Sequence, residues 1–147
     1  MALPFNDQDI TSANAVVVLT IQELYPNGIR LQQFSTDAMA AADAVQISET
    51  RMGIDGYMAA GVTPSIIQVT VNLEANSPSK RALDNLWSAM QSNLRLYRVT
   101  MTIKLVSTGE TFQFYRGCLQ TATPVPATQR ILSPTTWVFH FERMEKV

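Results

Sequence analysis

Residues that build catalytic and metal sites are scarce in this 147-residue chain. It has one cysteine, Cys118, and one histidine, His140. A single cysteine excludes an intramolecular disulfide, and one histidine with one cysteine excludes the usual cluster of nitrogen and sulfur ligands around zinc. The sequence also lacks a phosphate-binding glycine loop and a G-x-S-x-G nucleophile motif. We therefore expect no catalytic residues, no cofactor and no metal, and predict that the protein is not an enzyme.

Charged residues are also few. They make up 16% of the chain, with a net charge of −1, whereas about 25% is usual for soluble domains. Without a basic stripe, tight binding to nucleic acid is not expected. Neutral surface of this kind suits contacts between copies of one chain. A β-rich domain gives the same composition, because strands favour residues such as Val and Thr.

Long apolar runs are missing as well. The longest, Ala15–Leu19, is far too short to cross a bilayer. The first residues lack the basic and apolar regions of a signal peptide. We therefore expect no membrane binding by this chain, and synthesis in a cytoplasm.

The patterns that are present predict mostly β-strands. Ile67–Glu74 and Tyr97–Leu105 alternate between apolar and polar residues, with the period of two of half-buried strands. Asp37–Ala44 is alanine-rich and leaves helix and strand both open. Further strands are predicted over Ala15–Ile21, Ile29–Ser35, Val45–Met52, Thr111–Leu119 and Thr135–Met144. Turns are predicted at Tyr25–Gly28 and Ser107–Glu110.

One helix is predicted over about residues 77–93. Ser77 followed by Pro78 is a typical start, with an N-cap serine and proline at the first helical position. An apolar stripe at helical spacing is expected to pack on the sheet; it consists of Leu83, Leu86, Trp87, Met90 and Leu94. The predicted fold is mainly β with one helix, an antiparallel β-sandwich or barrel forming a single domain over residues 1–147. Residues 1–13 are expected to form an N-terminal arm.

The stretch SETRMGIDGYMAAG, at Ser48–Gly61, predicts a hairpin over about residues 45–61 that projects from the domain. Asp55-Gly56 favours a tight turn, and Gly53 permits unusual backbone angles beside it. The stretch has no His, Cys or Lys that would support an active loop, so we interpret it as a contact surface on which Glu49 and Arg51 can pair across an interface. The predicted inter-subunit and ring-stacking contacts are Glu49, Arg51, Met52, Gly53, Ile54, Asp55, Gly56, Tyr57 and Met58.

Three motifs then suggest a family. SETRMGIDG, LEANSPS and the pattern G-x-L-x-x-A-x-P-x-P from Gly117 to Pro126 resemble the inner tail-tube proteins of contractile-tailed bacteriophages. The resemblance extends from about Ile10 to Glu142.

This resemblance implies a structural virion protein that assembles into hexameric rings, which stack into the inner tail tube and form the conduit for DNA ejection. It implies three partners besides the chain itself: a tail sheath protein, a tape-measure protein in the lumen, and phage DNA in transient, non-specific passage. The expected location is the virion tail, assembled in the host bacterial cytoplasm. Two alternatives remain: another ring-forming tail, baseplate or secretion-tube component, and a monomeric β-barrel that binds a ligand.

Overall fold

The computed structural model describes residues 15–31, 40–106 and 108–147. The predicted N-terminal arm therefore lies outside the described residues. Within these ranges the chain forms ten strands and one helix. In chain order they are β1 (Ala15–Ile21), β2 (Tyr25–Arg30), β3 (Ala40–Ala42), β4 (Ser48–Met52), β5 (Met58–Val62), β6 (Ile67–Leu73), α1 (Pro78–Asn93), β7 (Val99–Leu105), β8 (Glu110–Ala122), β9 (Thr135–Phe141) and β10 (Arg143–Lys146).

Eight strands form one antiparallel sheet. Seven of them follow the order β2-β1-β7-β8-β9-β6-β3, and β10 pairs with β8 beside this path. The long strand β8 joins the two halves, because residues 110–117 pair with β7 and residues 118–122 pair with β9. The predicted fold class, mainly antiparallel β with one helix, is confirmed.

The core lies on one face of both halves of this sheet. The register explains it, because Val69, Phe139 and Leu119 lie side by side on neighbouring strands, each on the inward side. The two halves meet where the rings of Phe114 and Phe141 lie 5.2 Å apart between centroids. The period-two alternation of the sequence thus becomes a single buried cluster.

Helix α1 begins as its sequence predicts. Ser77 is the N-cap, and its hydroxyl oxygen accepts a hydrogen bond from the backbone N–H of Ser79 at 3.3 Å. Leu83 and Leu86 are fully buried. The predicted apolar stripe is wrong at its C-terminal end, however, because Leu94 is 92% exposed. Met90 still packs against the core, whereas Leu94, the C-cap of the helix, lies beyond this contact.

Several predicted boundaries are also wrong. The first turn comes at residues 22–24, so Tyr25 and Gly28 belong to β2 instead of forming the turn. The strand predicted from Val45 begins at Ser48, and Val45 and Ile47 are exposed residues before it.

Two short strands were not resolved by the sequence patterns. The ambiguous alanine-rich stretch contains β3, which pairs with β6; its residues 37–39 lie outside the described part of the chain. The single strand predicted over Thr135–Met144 breaks at Glu142 into β9 and β10, and only β10 pairs with the first half of β8.

Candidate assembly surface

The hairpin of β4 and β5 stands apart from the core. Every residue of both strands is exposed, and in the described part of the chain these strands pair only with each other. Its base is held by a hydrogen bond from Thr63 N–H to Ile47 O at 3.2 Å, and another from Ser65 Oγ to Gln46 O at 2.9 Å. An isolated two-stranded hairpin is at best marginally stable in water.

The tip of the hairpin lies where the sequence predicts it. Gly53 N–H donates to Tyr57 O at 2.8 Å, and Gly56 N–H donates to Gly53 O at 3.1 Å. The Asp55 carboxylate accepts a further bond from Tyr57 N–H at 3.2 Å. Ile54 is a central residue of this turn, and its side chain is fully exposed.

The two tip glycines have different roles from those expected. The positive φ belongs to Gly56, at 88°, which is the left-handed region that favours glycine. A Cβ at Gly53 would lie 2.6 Å from Asp55 Oδ1, so a side chain there would push this carboxylate away from its bond to Tyr57 N–H. Gly53 itself has no positive φ, so the expectation of unusual backbone angles at this glycine is wrong.

The strand register divides the predicted contact residues between two faces. Directly opposed residues in an antiparallel pair share a face. Met52 opposes Met58, and on the same face Ser48 opposes Val62. Glu49 and Arg51 lie on the other face, where they oppose the small residues Gly61 and Ala59. The hairpin thus has one mostly apolar face, which also holds Ser48 and Thr50, and one face that carries two opposite charges.

The charged face of the hairpin is open to solvent. Among the described residues, neither Glu49 nor Arg51 has an ion-pair partner. A groove of about 300 Å³ runs over this part of the hairpin. A Cβ at Gly61 would meet no atom within 4 Å, so no contact among the described residues requires glycine there. Glycine in a strand often marks the close approach of another backbone.

A second polar surface lies on the outward side of β6 and β9. His140 contacts Gln68 Oε1 at 3.1 Å, and Thr136 Oγ1 donates to Asn72 Oδ1 at 3.0 Å. The outward residues of these two strands include no Asp, Glu, Lys or Arg. They are Gln68, Thr70, Asn72, Thr136, Val138 and His140.

The described residues offer no evident chemistry. No group of three or more His, Cys, Asp or Glu among them is placed to hold a metal ion. Cys118 is half-buried. No helix in the described ranges has the length and apolar character needed to span a membrane.

Sequence reasoning missed a third surface, at the C-terminal end of α1. Trp87, Leu94 and Leu96 are 37%, 92% and 47% exposed. With Met90, Gln91 and Arg95 they line a shallow groove of about 400 Å³. The signal was present in Leu94 and Leu96, two leucines at and just after the helix end.

A family model described as tail fiber protein gp32 matches residues 8–145, nearly the whole chain. The chain belongs to this family. Among curated proteins, none matches its sequence.

Solved structures share the fold of this family member at low identity. One is a chain of the PVC sheath/tube terminator of an extracellular contractile injection system, in its extended state, with 12% identity, a TM-score of 0.64 and coverage of 97% of this chain and 99% of that one. Another belongs to the tube-terminating cap of the anti-feeding prophage, with 13% identity, a TM-score of 0.62 and coverage of 100% and 94%. A third comes from the PVC sheath-tube complex, with 13% identity, a TM-score of 0.59 and coverage of 97% and 93%.

The family supports the coarser part of the sequence-based interpretation, a structural tail component, and the solved structures share its fold. The family and these neighbours are structural tail components rather than enzymes. The family description names a tail fiber protein, whereas the motifs suggested an inner tail-tube protein.

Proposed function

We propose that this protein is the repeating subunit of a tail tube, which assembles with copies of itself into rings that stack. The observation that carries the proposal is the fully exposed hairpin of β4 and β5, with an apolar face and a charged face. In a monomer, Met52 and Met58 stay exposed to water. Full burial of each side chain at an interface has a favourable free energy of about 1.5–3 kcal/mol. The fold neighbours come from tube, terminator and baseplate assemblies, which also supports a role as an assembling subunit.

The hairpin gives such an assembly two kinds of contact. Its apolar face packs on a neighbouring subunit, where methionine adapts to irregular gaps. Glu49 and Arg51 then pair with residues across the interface and fix the register, although exposed ion pairs contribute at most about 1 kcal/mol. All nine predicted contact residues keep this role in the proposal: Glu49, Arg51, Met52, Gly53, Ile54, Asp55, Gly56, Tyr57 and Met58.

The outward face of β6 and β9 suits the lumen of the tube. It is polar and carries no Lys or Arg, so it has no such side chains to neutralise phosphates and release the counterions of the DNA, and passage is not slowed by binding of this kind. In this proposal the lumen first holds a tape-measure protein and later passes phage DNA, and a sheath surrounds the tube.

A terminator or cap subunit is the second candidate. It is favoured by two fold neighbours, which belong to a sheath/tube terminator and to a tube-terminating cap. A terminator forms a single ring, because its outer side must stop further stacking, whereas a tube subunit stacks without limit.

Light scattering and negative-stain electron microscopy of the purified protein separate these functions. The tube proposal predicts stacked rings or tubes of open-ended length, and the terminator predicts single rings. A stable species at the monomer mass of 16.3 kDa at all accessible concentrations would contradict both.

A further inference from the structure

Strand β4 has one paired edge and one open edge. The paired edge is defined by two bonds at the ends of the hairpin: Gly53 N–H donates to Tyr57 O at 2.8 Å, and Thr63 N–H donates to Ile47 O at 3.2 Å. Residues 47 and 53 therefore direct their backbone groups toward β5. This direction alternates from residue to residue along an antiparallel strand. Since the register between the two bonds is unbroken, every odd-numbered residue of β4 also faces β5.

The even-numbered residues of β4 direct their N–H and C=O groups to the open edge. These residues are Ser48, Thr50 and Met52. In the described part of the chain, β4 pairs with β5 and with no other strand. Ser48 O accepts a bond from the side-chain amide of Gln46 at 3.4 Å, a long bond that strand pairing can replace. Open edges of this kind are templates for pairing with another chain.

The charges on β4 are complementary to those of a second copy of the same strand. Glu49 and Arg51 lie on one face of the hairpin, and neither has an ion-pair partner among the described residues. When two copies of β4 run antiparallel with Thr50 opposite Thr50, Glu49 of each copy lies opposite Arg51 of the other. Opposed residues share a face, so this register forms two ion pairs at once. Strand β5 carries no charged residue, and its open edge offers no such pairing.

The backbone of β4 fits the same register. Thr50 is the middle residue of the strand and faces the open edge, so two copies centred on it exchange N–H and C=O bonds between their Thr50 residues. Ser48 of each copy then bonds in the same way with Met52 of the other. Glu49 and Arg51 fall at the intervening positions, where opposed Cα atoms are about 4.5 Å apart and side chains come closest.

We propose that the β4 strands of two copies of this chain pair in this register and form a dimer with a four-stranded sheet, in the order β5-β4-β4-β5. A two-stranded hairpin is marginally stable alone, whereas three or more strands with a hydrophobic face can be stable. Pairing supplies these strands and joins the mostly apolar faces of the two hairpins.

The two copies in this dimer are related by a two-fold axis, so the contact closes at two subunits. Rings that all stack in one direction contain no such axis. The dimer is therefore a state of subunits outside the tube, in which the hairpin is already occupied, and it has to open before a subunit joins a ring.

Disulfide trapping at the two-fold axis tests the dimer. In a Cys118→Ser background, Thr50→Cys places two thiols opposite each other with Cα atoms about 5.5 Å apart, within the range of a disulfide. Ala60→Cys is the matched control, because Ala60 opposes Thr50 on β5 and is also exposed, but lies away from the axis.

Mild oxidation of subunits that have not assembled is expected to link Thr50→Cys chains at least about tenfold faster than Ala60→Cys chains, because pairing raises the effective thiol concentration to about millimolar. Equal rates for the two variants, or no covalent dimer of Thr50→Cys, would overturn the inference.

Charge reversal tests the register. Glu49→Arg and Arg51→Glu each place like charges directly opposite one another in the dimer, which is destabilising, whereas a mixture of the two variants restores both ion pairs. With Thr50→Cys in both chains and a size tag on one, oxidation of the mixture is expected to give at least about a tenfold excess of the mixed dimer over either homodimer.

The same charge variants with Ala60→Cys control for general attraction between oppositely charged chains. A statistical mixture of dimers with Thr50→Cys, or an equal excess with Ala60→Cys, would contradict the proposed register.

The inference and the proposed function fail separately. If the parent protein forms tubes or rings and Thr50→Cys gives no covalent dimer, only this inference is wrong. If the dimer forms and no larger assembly appears at any accessible concentration, only the proposed function is wrong.

Discussion

Gly117 lies directly against the ring of Phe141. A Cβ built at Gly117 would come within 2.2 Å of Phe141 Cδ1 and 3.0 Å of His140 O. This contact occurs where β8 passes from its pairing with β7 to its pairing with β9, next to Arg116 with a φ of 54°. The glycine therefore lets one strand serve both halves of the sheet while Phe141 stays in the core.

Substitution of this glycine is expected to destabilise the subunit. Gly117→Ala forces a methyl group into the Phe141 ring, and overpacking of this kind costs about 1–3 kcal/mol. The melting temperature measured by circular dichroism should fall by about 4–10 °C. Gly61→Ala is the matched control, because a Cβ at Gly61 meets no atom within 4 Å and the melting temperature should not change. Equal melting temperatures for the two variants would contradict this account of the junction.

A buried hydroxyl gives a second stability prediction. Thr135 Oγ1 accepts a hydrogen bond from Trp137 Nε1 at 3.1 Å and donates to Leu73 O at 3.2 Å, and Thr135 is fully buried. Thr135→Val leaves the indole N–H without a partner in the core, which costs about 1–3 kcal/mol.

The adjacent residue is the control for this prediction. Thr136 is half-buried on the outward face and bonds to Asn72 at 3.0 Å. Since water can replace that bond, Thr136→Val should cost less than Thr135→Val in a urea unfolding experiment. A larger loss for Thr136→Val would show that the Thr135 hydroxyl is not the important one.

The sequence predicts the central strands well because their surroundings repeat with a simple period. Ile67–Leu73 lies between β9 and β3 with a core on one side only, so its alternation of apolar and polar residues is complete. Ser77 and Pro78 mark the helix start through local hydrogen bonding and a fixed φ, and both signals are read from adjacent residues. The hairpin tip follows from Asp55-Gly56 in the same way.

Features that depend on distant residues escape sequence reasoning. Nothing near Gly117 in the chain reveals that Phe141 packs on it, and the break at Glu142 arises because β10 must turn toward the first half of β8. Leu94 has the spacing of a core residue, but it lies beyond the contact of Met90 with the core. The proposed contact residues of the hairpin come from their local pattern and stay a prediction, and their division between two faces follows from the observed register.

The proposed lumen makes a prediction about chemical access. In a Cys118→Ser background, Thr70→Cys places a thiol on the outward face of β6, and Ser88→Cys places one on the exposed side of α1. In assembled tubes, a large polyethylene-glycol maleimide should modify Thr70→Cys much more slowly than Ser88→Cys, because the reagent cannot diffuse along the lumen. After disassembly both should react. Rapid modification of Thr70→Cys in intact tubes would show that this face lies outside the channel.

The hairpin variant Ile54→Asp/Met58→Asp tests the central claim most directly. Both side chains are exposed in the subunit, so the charges should leave its melting temperature within about 1 °C of the parent, as surface substitutions usually do. We predict that sedimentation and negative-stain microscopy show a folded subunit that forms no tubes. Tubes formed at the same yield as the parent protein would contradict the proposal that the hairpin drives assembly.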